Sequence, residues 1–374
     1  MARFTSRFLT ASIAALPATV PFVGPEALVR RNGGQPFAAR LGANESGFGP
    51  SPKAIAAMAE AAAANWMYAD PENYDLRAAL ARMHGIGIEH VVIGEGCDGL
   101  LGLACKLVLE PGTAVVTSDG AYPTFNFHVV QHGGRLIKVP YRNDREDIEA
   151  LLATARAERA KVVYLSNPDN PMGSWWAASD IAALIERLPA DTLLFLDEAY
   201  SDTAPANAVP ALDVSHPNVL RFRTFSKAYG LAGARIGYAL GEAGLIGAFE
   251  KVRNHYGINR VGQVGALAAL DDRAYLADAV ARIARARETI SEIARRHGLE
   301  PLPSATNFVA IDCGRGEDFA RSILQGVVAR GVFVRMPAVA PLSRCIRVST
   351  GREADLVLFA EALAAAVEEA RRAG

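Results

Sequence analysis

The chain reads LLFLDEAY at residues 193–200, an apolar run that ends in two acids and a tyrosine. A run of this kind predicts a buried strand of an α/β sheet, because helices cover both faces of such a strand. The strand would stop at Asp197 and place a carboxylate at the carboxyl edge of the sheet, where open α/β folds bind ligands. The alternative is that Asp197 only caps the segment that follows.

Apolar runs on both sides of this strand alternate with helix-like segments. The strand-like runs are Val91–Ile93, Ala114–Thr117, Leu136–Val139, Val162–Leu165 and Val219–Phe222. Helix-like segments span 147–159, 178–187, a long Ala/Arg-rich stretch from about 261 to 298, and 353–371. This alternation predicts a mostly parallel sheet with helices on both faces. The long stretch would lead from a large domain to a smaller one.

Length, composition and charge narrow the class of protein. The 374 residues exceed the usual size of one domain, so two domains are expected. Hydrophobic residues make up 51% and charged residues 21% of the chain, which is typical of a soluble globular protein. The net charge of −1 gives no electrostatic basis for binding nucleic acid or an anionic membrane. The four cysteines show no metal-site spacing and favour a reducing cytoplasm.

A lysine beside a hydroxyl occurs in TFSKAYGLAGAR, at residues 224–235. Lys227 is a candidate amine nucleophile, and Ser226 and Arg235 are candidates for holding an anion near it. Pyridoxal phosphate (PLP) requires these groups, since it has an aldehyde to be captured and a phosphate to be fixed. Asp197 would then keep the pyridine nitrogen of PLP protonated. Otherwise, a lysine in such a loop is a solvated surface charge.

Further motifs occur in a defined order along the chain. LGANE (41–45), GPSP (49–52), YDLRAALA (74–81), GEGCD (94–98) and AYPTF (121–125) come first. The turn NPDNP (167–171) follows, whose Asn170 could donate its amide to a cofactor oxygen, and then LDEAY and the lysine run. The last motifs are SATNF (304–308), GVFVR (331–335) and IRVSTG (346–351). This set resembles the class I/II aminotransferases, PLP enzymes of fold type I, and within them the histidinol-phosphate aminotransferase group.

The resemblance implies a two-domain α/β fold. The large PLP-binding domain would contain a mostly parallel seven-stranded sheet flanked by helices, and the smaller domain would be α+β. Residues 1–40 would form an N-terminal arm that packs with the small domain, residues 41–262 the large domain, and residues 263–374 the small domain. An apolar core at 8–16, preceded by Arg3 and Arg7, leaves a signal peptide as the alternative for the start of the arm.

The same resemblance implies the roles of individual residues. Lys227 would bind the aldehyde of PLP and move the proton, Asp197 would pair with the pyridine nitrogen, and Asn170 and Tyr200 would hydrogen-bond the phenolate oxygen. The other PLP contacts would come from Gly96, Cys97, Asp98, Tyr122, Ser226, Arg235 and, in the neighbouring subunit, Tyr68. Substrate would bind at Arg347, which clamps an α-carboxylate, and at Arg335, Asn44 and Asn259. No metal is implied.

The implied reaction moves an amino group between an amino acid or histidinol phosphate and 2-oxoglutarate by a ping-pong mechanism. It would take place in a cytoplasmic homodimer with shared active sites and without nucleic acid or membrane partners. Some residues depart from the family pattern, among them Cys97 for a serine and Asp169 for an asparagine. These departures leave open an aminotransferase for aromatic or other amino acids. A decarboxylase, lyase or oxidase on the same fold is the further alternative.

Overall fold

The structure is a computed structural model that describes residues 6–17, 23–31 and 33–373. Residues 1–5, 18–22 and 32 of the predicted arm lie outside the described residues. The α-helices of the described ranges, α1 to α13 in chain order, are Ala11–Ala14, Pro25–Arg31, Pro52–Ala62, Tyr74–His84, Gly96–Val108, Pro123–Gln131, Ile148–Glu158, Ala178–Glu186, Ala243–Ala248, Arg260–Asp271, Arg273–Arg296, Glu317–Ala329 and Glu353–Ala373. The β-strands, β1 to β12, are Ala39–Arg40, Val91–Gly94, Ala114–Ser118, Arg135–Val139, Val162–Ser166, Leu193–Asp197, Val219–Thr224, Gly237–Leu240, Glu300–Pro301, Phe308–Asp312, Val332–Phe333 and Cys345–Ser349.

Seven strands form the central sheet, in the order β2-β8-β7-β6-β5-β3-β4. The strands from β7 to β4 in this order pair in parallel, whereas β8 pairs antiparallel with both β7 and β2. This arrangement confirms the predicted α/β class with a mostly parallel seven-stranded sheet. β8 was not apparent from the hydrophobic pattern, since its four residues read GYAL.

The central strands are apolar throughout because helices cover both faces of the sheet. Along β5, Val162 and Tyr164 pack with α5 and α6, whereas Val163 and Leu165 pack with α7 and α8. All four side chains are fully buried. Burial on both faces replaces the usual alternation of apolar and polar residues by a continuous apolar run.

The carboxyl ends of the parallel strands meet along one edge of the sheet. Ser166 of β5 pairs in register with Asp197 of β6, which in turn pairs with Phe222 of β7. β2 runs in the same direction and ends beside Gly237 of β8, shortly before α5 begins. The loops after these strands therefore open onto one edge, the position at which an open α/β sheet binds ligands.

The smaller domain is built from the C-terminal part of the chain and from β1. An antiparallel sheet in the order β12-β10-β9 packs against α11, α12 and α13, and a parallel pair joins β1 to β11. The described part of the arm contacts this domain, since Arg335 donates a hydrogen bond to the Val23 carbonyl. Among the residues that the structure describes, no helix combines the length and apolar character needed to cross a bilayer.

The prediction of one continuous helix from about 261 to 298 is wrong, because the structure divides this stretch into α10 and α11 at Asp272. Asp272 has φ −98° and ψ 60°, which lies outside the helical region. α10 packs with α3 and α4 in the core of the large domain through residues such as Ala266 and Ala269. Further along the chain, Ala286 and Ile290 of α11 enter the core of the small domain.

Candidate active site

A cavity of about 340 Å³ opens at the carboxyl edge of the central sheet. Its lining residues come from the ends of β5, β6 and β7, from the start of α5 and from the loops that follow β1, β3, β5, β6 and β7. They are Ala43, Glu45, Cys97, Asp98, Tyr122, Ser166, Asn170, Asp197, Ala199, Tyr200, Thr224, Ser226, Lys227, Ala232, Gly233 and Arg235. The structure thus brings together most of the side chains that the sequence singled out. Within the described residues, no cluster of His, Cys, Asp and Glu could hold a metal ion.

Lys227 lies in the loop after β7, and its half-buried side chain lines the cavity. Its Nζ donates a hydrogen bond to the carbonyl oxygen of Asn44 at 3.2 Å. Burial, together with the guanidinium groups of Arg347 and Arg235, lowers the pKa of Lys227 to about 8. An amine with such a pKa is partly neutral near pH 7, and the neutral form is the one that attacks an aldehyde.

Asp197, the last residue of β6, is buried beneath the cavity. Its Oδ2 accepts a hydrogen bond from the Tyr164 hydroxyl at 2.7 Å. Its Oδ1 accepts from the backbone N–H of Ala199 at 3.0 Å and from Cys97 Sγ at 3.6 Å. Burial raises the pKa of Asp197, and the hydrogen bond from Tyr164 opposes that effect. A carboxylate held in this way is suited to pair with a protonated ring nitrogen.

The next residue, Glu198, anchors the strand end that carries Asp197. Its carboxylate pairs with Arg221 at 2.6 Å and with Arg223 at 2.9 Å, and Glu198 and Arg221 are almost completely buried. Arg221 also donates hydrogen bonds to two carbonyl oxygens of the loop before β7. Because removing one partner of a buried pair is costly, this network holds the end of β6 firmly against β7.

The start of α5, Ser226 and Arg235 form a cup that could bind an anion. Glu95 at the N-cap makes no side-chain hydrogen bond to the first turn, which leaves the backbone N–H groups of that turn for an anion. Gly96 has φ +78°, and a Cβ atom there would come within 2.6 Å of Arg235 Nη2, so this position requires glycine. Ser226 accepts a hydrogen bond from Thr224 at 2.9 Å, which leaves its own proton for a ligand.

Tyr200 and Asn170 contribute the hydroxyl and amide that the sequence assigns to the cofactor oxygen. The Tyr200 ring lies beside Lys227, whose Nζ is 5.6 Å from the ring centre. The Tyr200 hydroxyl accepts a hydrogen bond from Asn44 Nδ2 at 2.9 Å, and burial raises its pKa, so it stays protonated. Asn170 Oδ1 accepts a hydrogen bond from Arg347, which orients the amide nitrogen of Asn170 for donation elsewhere.

Two arginines of the small domain stand together at the cavity. Arg335 and Arg347 exchange backbone hydrogen bonds of 3.2 Å and 2.6 Å in an isolated antiparallel bridge. Arg347 is buried, and its Nε has no hydrogen-bond partner among the described residues. Burial lowers the pKa of Arg347 to about 10. A buried guanidinium with an unused donor is suited to a carboxylate ligand. Arg335 interacts electrostatically with Glu45 and Tyr122 of the cavity wall.

Two predicted site residues lie outside the cavity of their own chain. Asn259 caps α10, since its Oδ1 accepts from the Gly262 N–H at 2.6 Å and its Nδ2 donates to the Ala234 carbonyl at 3.1 Å. The side chain of Asn259 therefore satisfies a helix end, and its predicted contact with substrate stays a prediction. Tyr68 is 78% exposed and contacts Tyr256 in a tilted arrangement, with ring centres 4.7 Å apart.

Sequence reasoning missed Tyr164, which binds Asp197, and the pair Ser349 and Asn307, which bind Asn44. A signal for Tyr164 was present, because a tyrosine inside a buried apolar strand needs a partner for its hydroxyl. Ser349 Oγ accepts from the Asn44 N–H at 2.9 Å, and Asn307 Nδ2 donates to the Asn44 carbonyl at 2.9 Å. These contacts join residues 305 and 263 positions apart, and no local pattern marks them.

Comparison with known proteins gives consistent matches over nearly the whole chain. The family model for aminotransferase class I and II matches residues 39–363. A histidinol-phosphate aminotransferase of Nitrosospira multiformis is 34% identical, over 88% of this chain and 84% of its own length. One of Erythrobacter litoralis is 35% identical, over 89% and 91%. The crystal structure of histidinol-phosphate aminotransferase from Sinorhizobium meliloti in complex with pyridoxal-5'-phosphate is 53% identical, covers 99% of this chain and 98% of its own, and superposes with a TM-score of 0.93.

Proposed function

The chain belongs to the aminotransferase class I and II family, and on that basis we propose that it transfers the amino group of histidinol phosphate or of an amino acid to 2-oxoglutarate, with PLP as its cofactor. Transamination is the activity of the family, and a decarboxylase, lyase or oxidase is not favoured. Histidinol phosphate enters the proposal because similar proteins carry its name.

The observation that carries the cofactor proposal is the convergence of a half-buried amine, a buried carboxylate and the anion cup in one cavity. Lys227 would hold the aldehyde carbon of PLP, Asp197 its ring nitrogen, and the cup at Gly96, Ser226 and Arg235 its phosphate. Further contacts would come from Cys97, Asp98 and Tyr122. When bound, PLP supplies an electron-accepting ring that stabilises negative charge on the substrate carbon.

Within this site, Lys227 is the group that holds and moves a proton. With a pKa of about 8, its amine exchanges a proton readily near neutral pH. The Asn44 carbonyl oxygen, 3.2 Å from Nζ, holds the amine against one wall of the cavity. Asn170 and Tyr200 would donate hydrogen bonds to the ring oxygen of the cofactor.

Arg347 and Arg335 are proposed to select the substrate. Arg347 would bind the α-carboxylate of an amino acid such as glutamate through a bidentate pair. Arg335 would meet the distal anion, which is the side-chain carboxylate of glutamate or the phosphate of histidinol phosphate. Because a backbone bridge joins the two arginines, the separation of the two positive charges is set by the fold.

We also propose a homodimer in which Tyr68 completes the partner's phosphate site. Large hydrophobic side chains are exposed around Tyr68, namely Trp66 at 83%, Met67 at 41% and Tyr256 at 55%. An exposed cluster of this kind marks a protein interface. Sedimentation equilibrium is expected to give about twice the chain mass of 39.7 kDa, and a monomer that retains full turnover would contradict the shared site.

A cytoplasmic location is part of the proposal. Cys97, Cys105, Cys313 and Cys345 are all buried and free of disulfides. Unpaired thiols fit a reducing compartment, because disulfides form mainly in oxidising ones.

The experiment that tests the donor follows one half-reaction by absorbance. Protein loaded with PLP is mixed with histidinol phosphate without any oxo acid. We expect the visible band of the bound cofactor to disappear, a near-ultraviolet band of its amine form to grow, and 2-oxoglutarate to reverse the change. Histidinol without its phosphate is the matched control and should react much more slowly.

The possible outcomes distinguish a wrong amino donor from a wrong reaction type. A response to glutamate combined with no response to histidinol phosphate would remove histidinol phosphate and leave transamination in place. A response that 2-oxoglutarate fails to reverse would contradict transamination itself.

A further inference from the structure

We infer that Asn44 is a positioning residue whose amide donates to the Tyr200 hydroxyl and so turns the hydroxyl proton of Tyr200 toward the cofactor oxygen. This inference deepens the proposed function, since it rests on PLP occupying the cavity. The sequence predicts Asn44 as a substrate contact. Its hydrogen bonds in the structure indicate this different role.

The donor and the acceptor of each hydrogen bond around Asn44 can be assigned in turn, starting from its backbone N–H. The N–H of Asn44 can only donate, and it donates to Ser349 Oγ at 2.9 Å. The Ser349 hydroxyl then gives its single proton to Asn44 Oδ1 at 3.0 Å. Because Oδ1 faces Ser349, Nδ2 faces Tyr200, and it donates to the Tyr200 oxygen at 2.9 Å.

The opposite orientation of the amide would leave a buried proton without an acceptor. With Nδ2 turned toward Ser349, the serine oxygen would receive two donors, and its own proton would have no acceptor among the described contacts. Ser349 is 1% exposed and Asn44 is 3% exposed, so solvent does not replace the missing acceptor. The observed orientation therefore holds, and Tyr200 keeps its own proton to donate into the cavity.

The backbone of Asn44 is held in the same position by independent contacts. Its φ of 55° lies in the left-handed region, which asparagine tolerates better than most residues. Its carbonyl oxygen accepts hydrogen bonds from Lys227 at 3.2 Å and from Asn307 at 2.9 Å. Asn44 thus connects Lys227 and Tyr200 of the large domain to Asn307 and Ser349 of the small domain.

The test compares the pH dependence of the visible band of bound PLP between the native protein and variants. A hydrogen bond donated by Tyr200 to the ring oxygen lowers the pH at which this band titrates, and Tyr200→Phe should raise that pH by about one unit. Asn44→Gly removes the amide and still allows the positive φ. We expect it to raise the same pH by a similar amount.

Double variants separate proton orientation from other effects of the substitution. If Asn44 acts through the Tyr200 proton, Asn44→Gly causes no further shift in a Tyr200→Phe background. Equal shifts in both backgrounds would overturn the inference, and so would an unshifted Asn44→Gly single variant. Asn143→Gly is the matched control, because Asn143 also has a positive φ, of 51°, but is exposed and outside the cavity.

The charged groups around Tyr200 are the same in these variants. They are Lys227, Arg347, Asp197 and Asp169, and neither Asn44→Gly nor Tyr200→Phe changes any of them. Ser349→Ala is a second, uncharged variant in case Asn44→Gly does not fold, and a smaller shift in the same direction is expected. A native protein without a visible band after addition of PLP would remove the cofactor proposal, which is a different failure.

Discussion

Replacing Lys227 with alanine is expected to abolish turnover, with kcat falling by at least about 10⁴-fold. The amine would be both the covalent attachment point and the proton carrier, and the proton transfer alone is worth roughly 10²–10⁴-fold. Among the described lining residues, Lys227 is the single lysine, so no other amine of the cavity can replace it. Steady-state turnover and the visible spectrum of bound PLP, measured on the same preparation, check this expectation.

Three controls separate the chemistry of Lys227 from an effect on folding. Lys251→Ala changes an exposed lysine and should leave both readouts unchanged. Borohydride reduction followed by peptide mapping should attach the cofactor to residues 224–235 in the native protein and nowhere in Lys227→Ala. A small added amine that restores some turnover would confirm that the variant is folded. Substantial turnover of Lys227→Ala without any added amine would contradict the assignment.

Arg347→Ala is expected to damage the half-reaction with glutamate far more than the half-reaction with histidinol phosphate. Losing a buried bidentate charge contact costs about 2–5 kcal/mol. At about 1.4 kcal/mol for each factor of ten, kcat/KM for glutamate should fall roughly 30- to 4,000-fold. Histidinol phosphate has no α-carboxylate. Its kcat/KM should therefore fall only by the amount that the contact between Arg347 and Asn170 contributes. Rapid mixing with each donor alone measures the two half-reactions separately.

The comparison between donors makes the Arg347 prediction specific. Arg321→Ala, which removes an exposed arginine paired with Glu317, should change neither half-reaction. Equal losses with both donors would mean that Arg347 only supports Asn170. In that case the clamp assignment would be wrong, although the cofactor site would be unaffected.

The parts of the site that follow directly after strands could be predicted from the sequence. Asp197 is an example, because an apolar run that ends in an acid fixes both the strand and the edge at which the acid lies. Lys227 was predicted from a different signal, the serine beside it and the arginine that follows, and the structure places it shortly after the end of β7.

The contacts between distant segments could not be predicted in this way. The orientation of Asn44 depends on Ser349, and no periodicity relates two residues 305 positions apart. The family position of Asn259 suggests a ligand contact, and the structure adds that its side chain caps α10. The break at Asp272 was missed because apolar residues continue with helical spacing on both sides of it.

The distance along the chain between Asn44 and Ser349 also determines the order in which parts of the site can form during synthesis. A nascent chain that has completed the central sheet already holds Asp197 and Lys227 on neighbouring strand ends. It still lacks Ser349 and Arg347, which emerge more than a hundred residues later. Closing contacts of such separation is slow, because the entropy of a long loop must be lost first. The groups proposed to hold the cofactor can therefore assemble early, whereas the proposed selection of substrate by Arg347 requires the last strand.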